Sequence, residues 1–173
     1  MNIPASLSIL GATPATLKAW LDGQPEHVLL QKEHPEAWNT IDIIKHLIFG
    51  EQTDWIPRLT LMIEAEQGKM PVLKSFDREG HQQNTEQDIS KVLQHFSELR
   101  RDNLDTLKQF LKNYDFANLK AIHPDLGPVN GNQLLATWTV HDQTHIYQIA
   151  RNLTSLFADD VGPWAAYLRI VSS

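Results

Sequence analysis

Four stretches of the chain repeat apolar residues at three- and four-residue steps, the period of a helix that buries one face. The first follows Thr13 and Pro14, which suit the N-cap and the first helical position, and it stops at the turn residues 22–25. An earlier start near Ala5, with a break at Gly11, fits the same residues. The pattern predicts an amphipathic first helix.

The second stretch predicts a long helix that bends without ending. Asn39 or Thr40 is the expected cap, and the apolar pattern runs on to Met62. Pro57 lies inside the pattern, which resumes beyond it, so we expect a kink there. The residues 67–71 are expected to end the helix.

Two further helices complete the predicted set. The third is expected to have its cap at Asn84 or Thr85 and to extend through Leu111, with Arg100 on its solvated face. The fourth is expected from about residue 132 to residue 157. Both carry one continuous apolar stripe, which is typical of helices packed around a shared core.

The connections between these helices are unequal in length and predict no strand. Residues 26–36 are expected to dock by a few apolar side chains, and residues 68–84 and 113–131 are expected to be surface connections. A short C-terminal segment covers residues 164–170. We therefore predict one all-α domain over residues 1–173, a four-helix bundle with long connections.

Composition removes several classes of function. The chain has 173 residues, 42% of them hydrophobic, and a net charge of −6, which argues against a nucleic-acid partner. It contains no cysteine, so thiolate metal sites and cysteine nucleophiles are excluded, and a reducing compartment such as the cytoplasm is expected. We expect no signal peptide and no membrane span, because no long apolar run occurs.

Two histidines, His141 and His145, fall within the apolar stripe of the fourth helix, four residues apart. This spacing places both rings on one face, where they can reach one metal ion. His46, on the edge of the second helix's stripe, is the natural third member. Three imidazoles would leave a coordination position open, at which a water could be acidified or a substrate thiol held as thiolate.

Spacing and facing alone leave two interpretations open. A lone buried histidine is more often a hydrogen-bonded core residue than a metal ligand, and this applies to His46 in particular. The trio would then pack as neutral rings, each with its own hydrogen-bond partner.

The pattern at residues 38–47, together with His-Asp-Gln-Thr-His at residues 141–145, resembles the DinB/YfiT-like superfamily. The order of elements matches over nearly the whole chain. The resemblance implies a four-helix bundle with a metal site whose ligands are His46, His141 and His145. Several members of the family are thiol-dependent transferases or isomerases that use low-molecular-weight thiols, and many have no known activity.

One feature of the family is absent from this chain. The last helix of many members carries a further histidine beside the final ligand, whereas Thr144 and Ile146 flank His145 here. The three-histidine site is unaffected by this difference, but assignment to a subgroup is not supported.

Candidates to orient the ligands are Asp42 and Glu51 on the second helix and Gln148 on the fourth. Asp142 ranks last, because its helical phase turns it away from its neighbour. Lys45 could attract an anionic substrate, but scattered cations on an acidic protein are usually surface residues.

The sequence supports two hypotheses about function. The first is a metal-dependent hydrolase or thiol S-transferase that holds Zn²⁺ or Ni²⁺ and acts on a small-molecule substrate, with a low-molecular-weight thiol as a candidate. The second is a non-enzymatic, stress-linked metal-binding or interaction bundle. Under the second hypothesis, an apolar edge at Trp164, Tyr167 and Leu168 could serve a homodimer or another partner. An open cleft to the histidines would favour the enzyme, and a sealed site the alternative.

Overall fold

The computed structural model describes residues 1–66 and 68–172, and helices carry most of that part of the chain. Its α-helices are α1 (Ile3–Leu21), α2 (Glu26–Leu29), α3 (Thr40–Thr53), α4 (Trp55–Glu64), α5 (Ile89–Asn113), α6 (Gly131–Ser155) and α7 (Arg169–Ser172). Two 3₁₀ turns cover Gly80–Gln83 and Gly162–Tyr167. Helix α1, the pair α3–α4, and helices α5 and α6 form the bundle, so the predicted fold class is confirmed.

Helix α1 begins earlier than the sequence pattern of Thr13 and Pro14 suggests. Asn2 is its cap, and the Asn2 side chain accepts the backbone N–H of Ala5 at 3.1 Å. Thr13 lies inside the helix, where its hydroxyl donates to the Ile9 carbonyl at 3.1 Å. The predicted break at Gly11 is wrong, because the helix runs through that residue.

The break between α3 and α4 lies at Asp54, three residues before the predicted kink at Pro57. A proline ring clashes with the carbonyl four residues earlier, here that of Thr53, so the helix must open upstream of the proline. Asp54 adopts φ −111° and ψ −65°, and its carboxylate pairs with Arg58 Nε at 2.6 Å. The cap prediction at Asn39 is confirmed, because its side chain accepts the N–H of Asp42.

Side-chain caps also set the starts of the two longest helices. Asp88, and not Asn84 or Thr85, caps α5, and its carboxylate accepts the N–H of Ser90 at 3.0 Å. Helix α6 starts with a capping box in which the side chains of Asn130 and Gln133 bond each other's backbone N–H.

The predicted absence of strands between α5 and α6 is wrong. Strands β1 (Lys120–His123) and β2 (Gly127–Asn130) pair antiparallel, with Ala121 opposite Val129. Gly127 has φ +76°, which favours glycine where the turn enters β2. Strands of four residues, one containing a proline, are too short to show an alternating pattern in the sequence.

The core consists of two apolar clusters along the bundle. One centres on Trp55, Leu107 and Trp138, and the other on Ile44, Phe96 and Ile149. His141 packs against the first cluster through Trp55, and His145 lies one turn from Ile149, so the histidines sit between the two. Among the helices of the described residues, none is long and apolar enough to span a membrane.

Candidate metal centre

His46 on α3 meets His141 and His145 on α6, as the sequence predicts. The Nε2 atom of His141 lies 3.3 Å from His46 Nε2 and 3.0 Å from His145 Nε2. One ring nitrogen from each of the three lies within 4.8 Å of the others. We call these three residues the histidine trio.

Burial holds the trio in the neutral form. Burial, and secondly the neighbouring histidines, lower the pKa of His46 and of His141 to about 3. Burial also lowers the pKa of His145, although Gln148 and Asp142 act in the opposite direction. Three neutral imidazoles at neutral pH have the protonation state that metal ligands require.

Hydrogen bonding within the trio is incomplete. His145 Nδ1 donates to the Gln148 side-chain oxygen at 2.7 Å, which leaves a lone pair on its Nε2. The Nδ1 atoms of His46 and His141 are buried and have no hydrogen-bond partner among the described residues. The Arg78 carbonyl opposes the effect of burial on the pKa of His46. Its hydrogen bond, however, comes from His81 Nδ1 and not from His46.

This arrangement fits a cation at the point where the Nε2 atoms converge. Neutral rings cannot all satisfy one another there, because each ring has a single N–H and the three Nε2 atoms face inward. One divalent ion can accept all three lone pairs. The donor set of three imidazoles suits zinc, nickel, copper and iron, and does not suit magnesium or calcium.

Aromatic rings cover the trio. Trp38 lies 4.7 Å from the His46 ring between centroids, Phe76 meets it edge-on at 5.3 Å, and His81 lies 5.7 Å from it. His46 is 4% exposed and His145 is 5% exposed. A cavity of about 480 Å³ reaches Trp38 and Gln148, but the histidines of the trio are not among its lining residues.

The segment that covers the trio gives no sign of this position in the sequence. Phe76, Gly80 and His81 belong to a polar, irregular segment that was expected to be a surface connection, yet Gly80 and His81 are buried. A Cβ atom on Gly80 would lie 2.2 Å from Phe49 Cζ, so the segment packs tightly against α3. A histidine next to a glycine in a stretch without periodicity gives no signal of burial in the sequence.

Arg100 forms a buried ion cluster behind the trio, and its predicted position in solvent is wrong. Its side chain is 1% exposed. The Nη1 and Nη2 atoms donate to Asp142 Oδ2 and Oδ1 at 2.6 and 2.9 Å, and Nη2 also donates to Glu51 Oε1 at 2.8 Å. The bidentate geometry is the strong form of this ion pair.

Glu51 completes the cluster through two further donors. Trp138 Nε1 donates to its Oε1 at 2.9 Å, and the Asn103 amide donates to its Oε2 at 2.9 Å. Burial raises the pKa of Glu51, and Arg100 lowers it, but both oxygens act only as acceptors, as an ionised carboxylate does. We call Arg100, Asp142, Glu51, Asn103 and Trp138 the arginine cluster.

A proline in α1 leaves one backbone carbonyl of that helix free, and this carbonyl is the last acceptor for Arg100. Pro14 has no N–H to give to the Leu10 carbonyl, four residues earlier in the helix. Arg100 Nη1 donates to that carbonyl at 2.9 Å, so it fills the gap in the helix ladder. Among the described residues, the Nε atom of Arg100 is left without a partner.

The residues expected to orient the ligands therefore lie in different places. Gln148 contacts His145 directly, whereas Glu51 and Asp142 bond Arg100. Asp42 is half-buried at the start of α3, and in the described part of the chain its carboxylate has no hydrogen bond to a histidine ring. Lys45, expected at the surface, is 3% exposed.

Residues 9–149 match the family model of the DinB superfamily. The structure is similar to that of YfiT from Bacillus subtilis, with a TM-score of 0.72 and 18% sequence identity over 88% of this chain and 86% of that chain. YfiT is described as a probable metal-dependent hydrolase with an unusual four-helix bundle topology. A search of curated proteins found no match. At this identity, the similarity to YfiT shows a common fold.

Proposed function

This chain belongs to the DinB superfamily, and we propose that it is a metal-dependent enzyme whose divalent ion is held by His46, His141 and His145. The observation that carries the proposal is the convergence of three neutral imidazoles through their Nε2 atoms. The description of YfiT, which has the same fold, as a probable metal-dependent hydrolase supports it.

Each side chain has a defined part in this proposal. Gln148 holds the proton of His145 on Nδ1, so that Nε2 of that ring faces the shared centre. Trp38 and Phe76 exclude bulk water from the His46 side, and Trp55 does so beside His141. When bound, a divalent ion, with zinc and nickel as the first candidates, supplies Lewis acidity that lowers the pKa of a water or a thiol.

We propose hydrolysis of a small-molecule substrate as the first reaction to test, because of the likeness to YfiT. Transfer of a low-molecular-weight thiol is the second, since the same Lewis acidity would stabilise a thiolate. For either reaction, the cover formed by Trp38 and residues 76–83 must move to admit a substrate.

The cover also favours one alternative function. A trio that is so little exposed would suit a protein that binds metal without turnover, as the non-enzymatic hypothesis states. The exposed ring side chains of Trp164 and Tyr167, 71% and 81% accessible, would then offer an edge for a second copy of the chain.

One set of assays distinguishes the enzyme from the non-enzymatic alternative. Metal-depleted protein, reconstituted with Zn²⁺ or Ni²⁺, is screened against ester, amide and thiol-transfer substrates. We expect turnover that depends on metal and disappears in His141→Ala, while the exposed His95→Ala variant keeps it. Tight metal binding with no turnover across the screen would overturn the enzyme and leave the alternative.

A further inference from the structure

A polar cavity separate from the histidine trio lies between α3, the 3₁₀ turn at Gly80–Gln83 and the start of α5. Its volume is about 470 Å³, enough for a small organic molecule. Ile48, Phe49 and Val92 form an apolar part of its wall. The rest of the wall is dominated by nitrogen-bearing side chains.

Lys45 is the residue of this wall whose charge has no partner in the described part of the chain. Lys45 is 3% exposed, and it lines the cavity. Through residues 1–66 and 68–172, its ammonium has no hydrogen bond or ion pair, and no carboxylate lies within 4.0 Å of it. The carbon stem of Lys45 is buried, but its Nζ atom is not sealed off from solvent by the protein. The ammonium therefore reaches the open space of the cavity, where an anion from outside the chain can pair with it.

The other cationic and acidic groups of the wall are already engaged with each other. Lys91 lies 3.5 Å from Glu86, and its side chain is 66% exposed. Glu86 Oε1 also accepts the backbone N–H groups of Gln87 and Asp88. Its carboxylate is thus directed to the start of α5, and it does not neutralise Lys45.

Two amides add donors to the same wall. The side-chain NH₂ groups of Gln83 and Asn84 line the cavity and donate to no protein group within the described residues. Together with Lys45 they offer one positive charge and several free N–H groups beside an apolar surface. This combination recognises an oxyanion attached to a small apolar body.

We propose that this cavity binds a small organic oxyanion, a carboxylate or a phosphate, whose charge pairs with Lys45. His81 lines the cavity, and its ring lies 5.7 Å from that of His46, so the bound anion would lie one ring away from the trio. The site needs no metal ion, and its existence is independent of the enzymatic function proposed above.

Binding to metal-free, full-length protein tests the site directly. Benzoate and inorganic phosphate are titrated separately by NMR, with the side-chain amide signals of Gln83 and Asn84 as reporters. We expect saturable shifts with a Kd of about 1 mM or tighter for at least one probe. A preference for benzoate would identify a carboxylate with an apolar body, and a preference for phosphate a phosphoryl group.

Lys45→Met keeps the length of the side chain and removes the charge. We expect it to weaken binding at least about tenfold while the protein stays folded, because the anion loses the ammonium that pairs with it. Lys108→Met is the matched control, since Lys108 is exposed, pairs with Asp105 and lies away from the cavity. It should bind as the wild type does.

Thermal unfolding provides a second reading that does not depend on the NMR signals. The preferred anion should raise the Tm of the wild type more than that of Lys45→Met at the same anion concentration. The proposal is wrong if neither probe binds the wild type, which would make Lys45 a buried stem with a hydrated tip. It is equally wrong if Lys45→Met binds the probes as well as the wild type.

Discussion

The histidine trio and the arginine cluster are two buried polar groups that lie side by side and differ in how far they are satisfied. In the arginine cluster, each carboxylate oxygen of Glu51 and Asp142 accepts a hydrogen bond from a named donor. In the trio, two buried Nδ1 atoms have no partner among the described residues, and three Nε2 atoms face one another. Trp55 contacts both groups, stacked on Trp138 of the arginine cluster and edge-on to His141 of the trio.

This difference shows which buried polar group needs a ligand. Among the described residues, only one buried atom of the arginine cluster, Arg100 Nε, lacks a partner, so this network is nearly complete within the protein and contributes to the specificity of packing. A set of three converging lone pairs is well satisfied by a cation, which can accept all three at once. Under the proposed function, the trio holds the metal ion and the arginine cluster supports it.

Breaking the arginine cluster should have the largest effect, which is a loss in the free energy of unfolding. Arg100→Met leaves Asp142 and Glu51 buried without their cation, and we expect a loss of about 3–5 kcal/mol in the free energy of unfolding. Urea denaturation of the metal-free protein measures it.

Arg101→Met is the matched control for that variant. Arg101 pairs with Asp102 on the exposed face, with side chains 67% and 66% accessible, and exposed pairs contribute little. A loss in Arg100→Met as small as in the control would mean that the cluster does not stabilise the fold.

The trio should make the metal-free protein sensitive to acid. The pKa of His46 is about 3 in the fold, against 6.5 for the free side chain, so the unfolded chain binds more protons between these values. Stability from this group is complete above pH 6.5 and is lost as the pH falls. His46→Gln should flatten the decline, by about 1.5 kcal/mol between pH 6.5 and about pH 5.

Urea denaturation at a series of pH values gives both curves. Gln143→Ala, an exposed change on α6, serves as the control and should follow the wild type. Parallel curves for His46→Gln and the wild type would contradict the assignment of buried, neutral histidines.

Removal of Gln148, the hydrogen-bond partner of His145, should produce the smallest of these effects, a change in metal affinity. Gln148→Ala frees His145 Nδ1 and should weaken metal binding about tenfold, because the ring loses its fixed orientation. Competition with a chromophoric chelator measures the affinity, with Gln143→Ala again as the control. Equal affinities in the two variants would remove Gln148 from the site.

The sequence predicts what depends on regular periods. The apolar stripes of the long helices indicate a bundle, and the stripe of α6 places His141 and His145 inward, as the structure has them. The cap at Asn39 follows from local chemistry, which is complete within a few residues.

Features that depend on contacts between residues far apart in the sequence are not predicted. Arginine usually lies at the protein surface. The burial of Arg100 requires Asp142 from α6 and the Leu10 carbonyl that Pro14 leaves free. The cover of the trio comes from a segment with no period, in which His81 is held by the Arg78 carbonyl. Neither arrangement exists before the helices meet.

The metal content of the trio tests the central claim most directly. Protein purified without an affinity tag and reconstituted with Zn²⁺ or Ni²⁺ should hold about one equivalent after dialysis, and His141→Ala/His145→Ala should lose it. His95→Ala, which changes an exposed histidine, should retain it. Less than about 0.2 equivalents in the wild type, or unchanged binding in the double variant, would contradict the claim that these three histidines form a metal site.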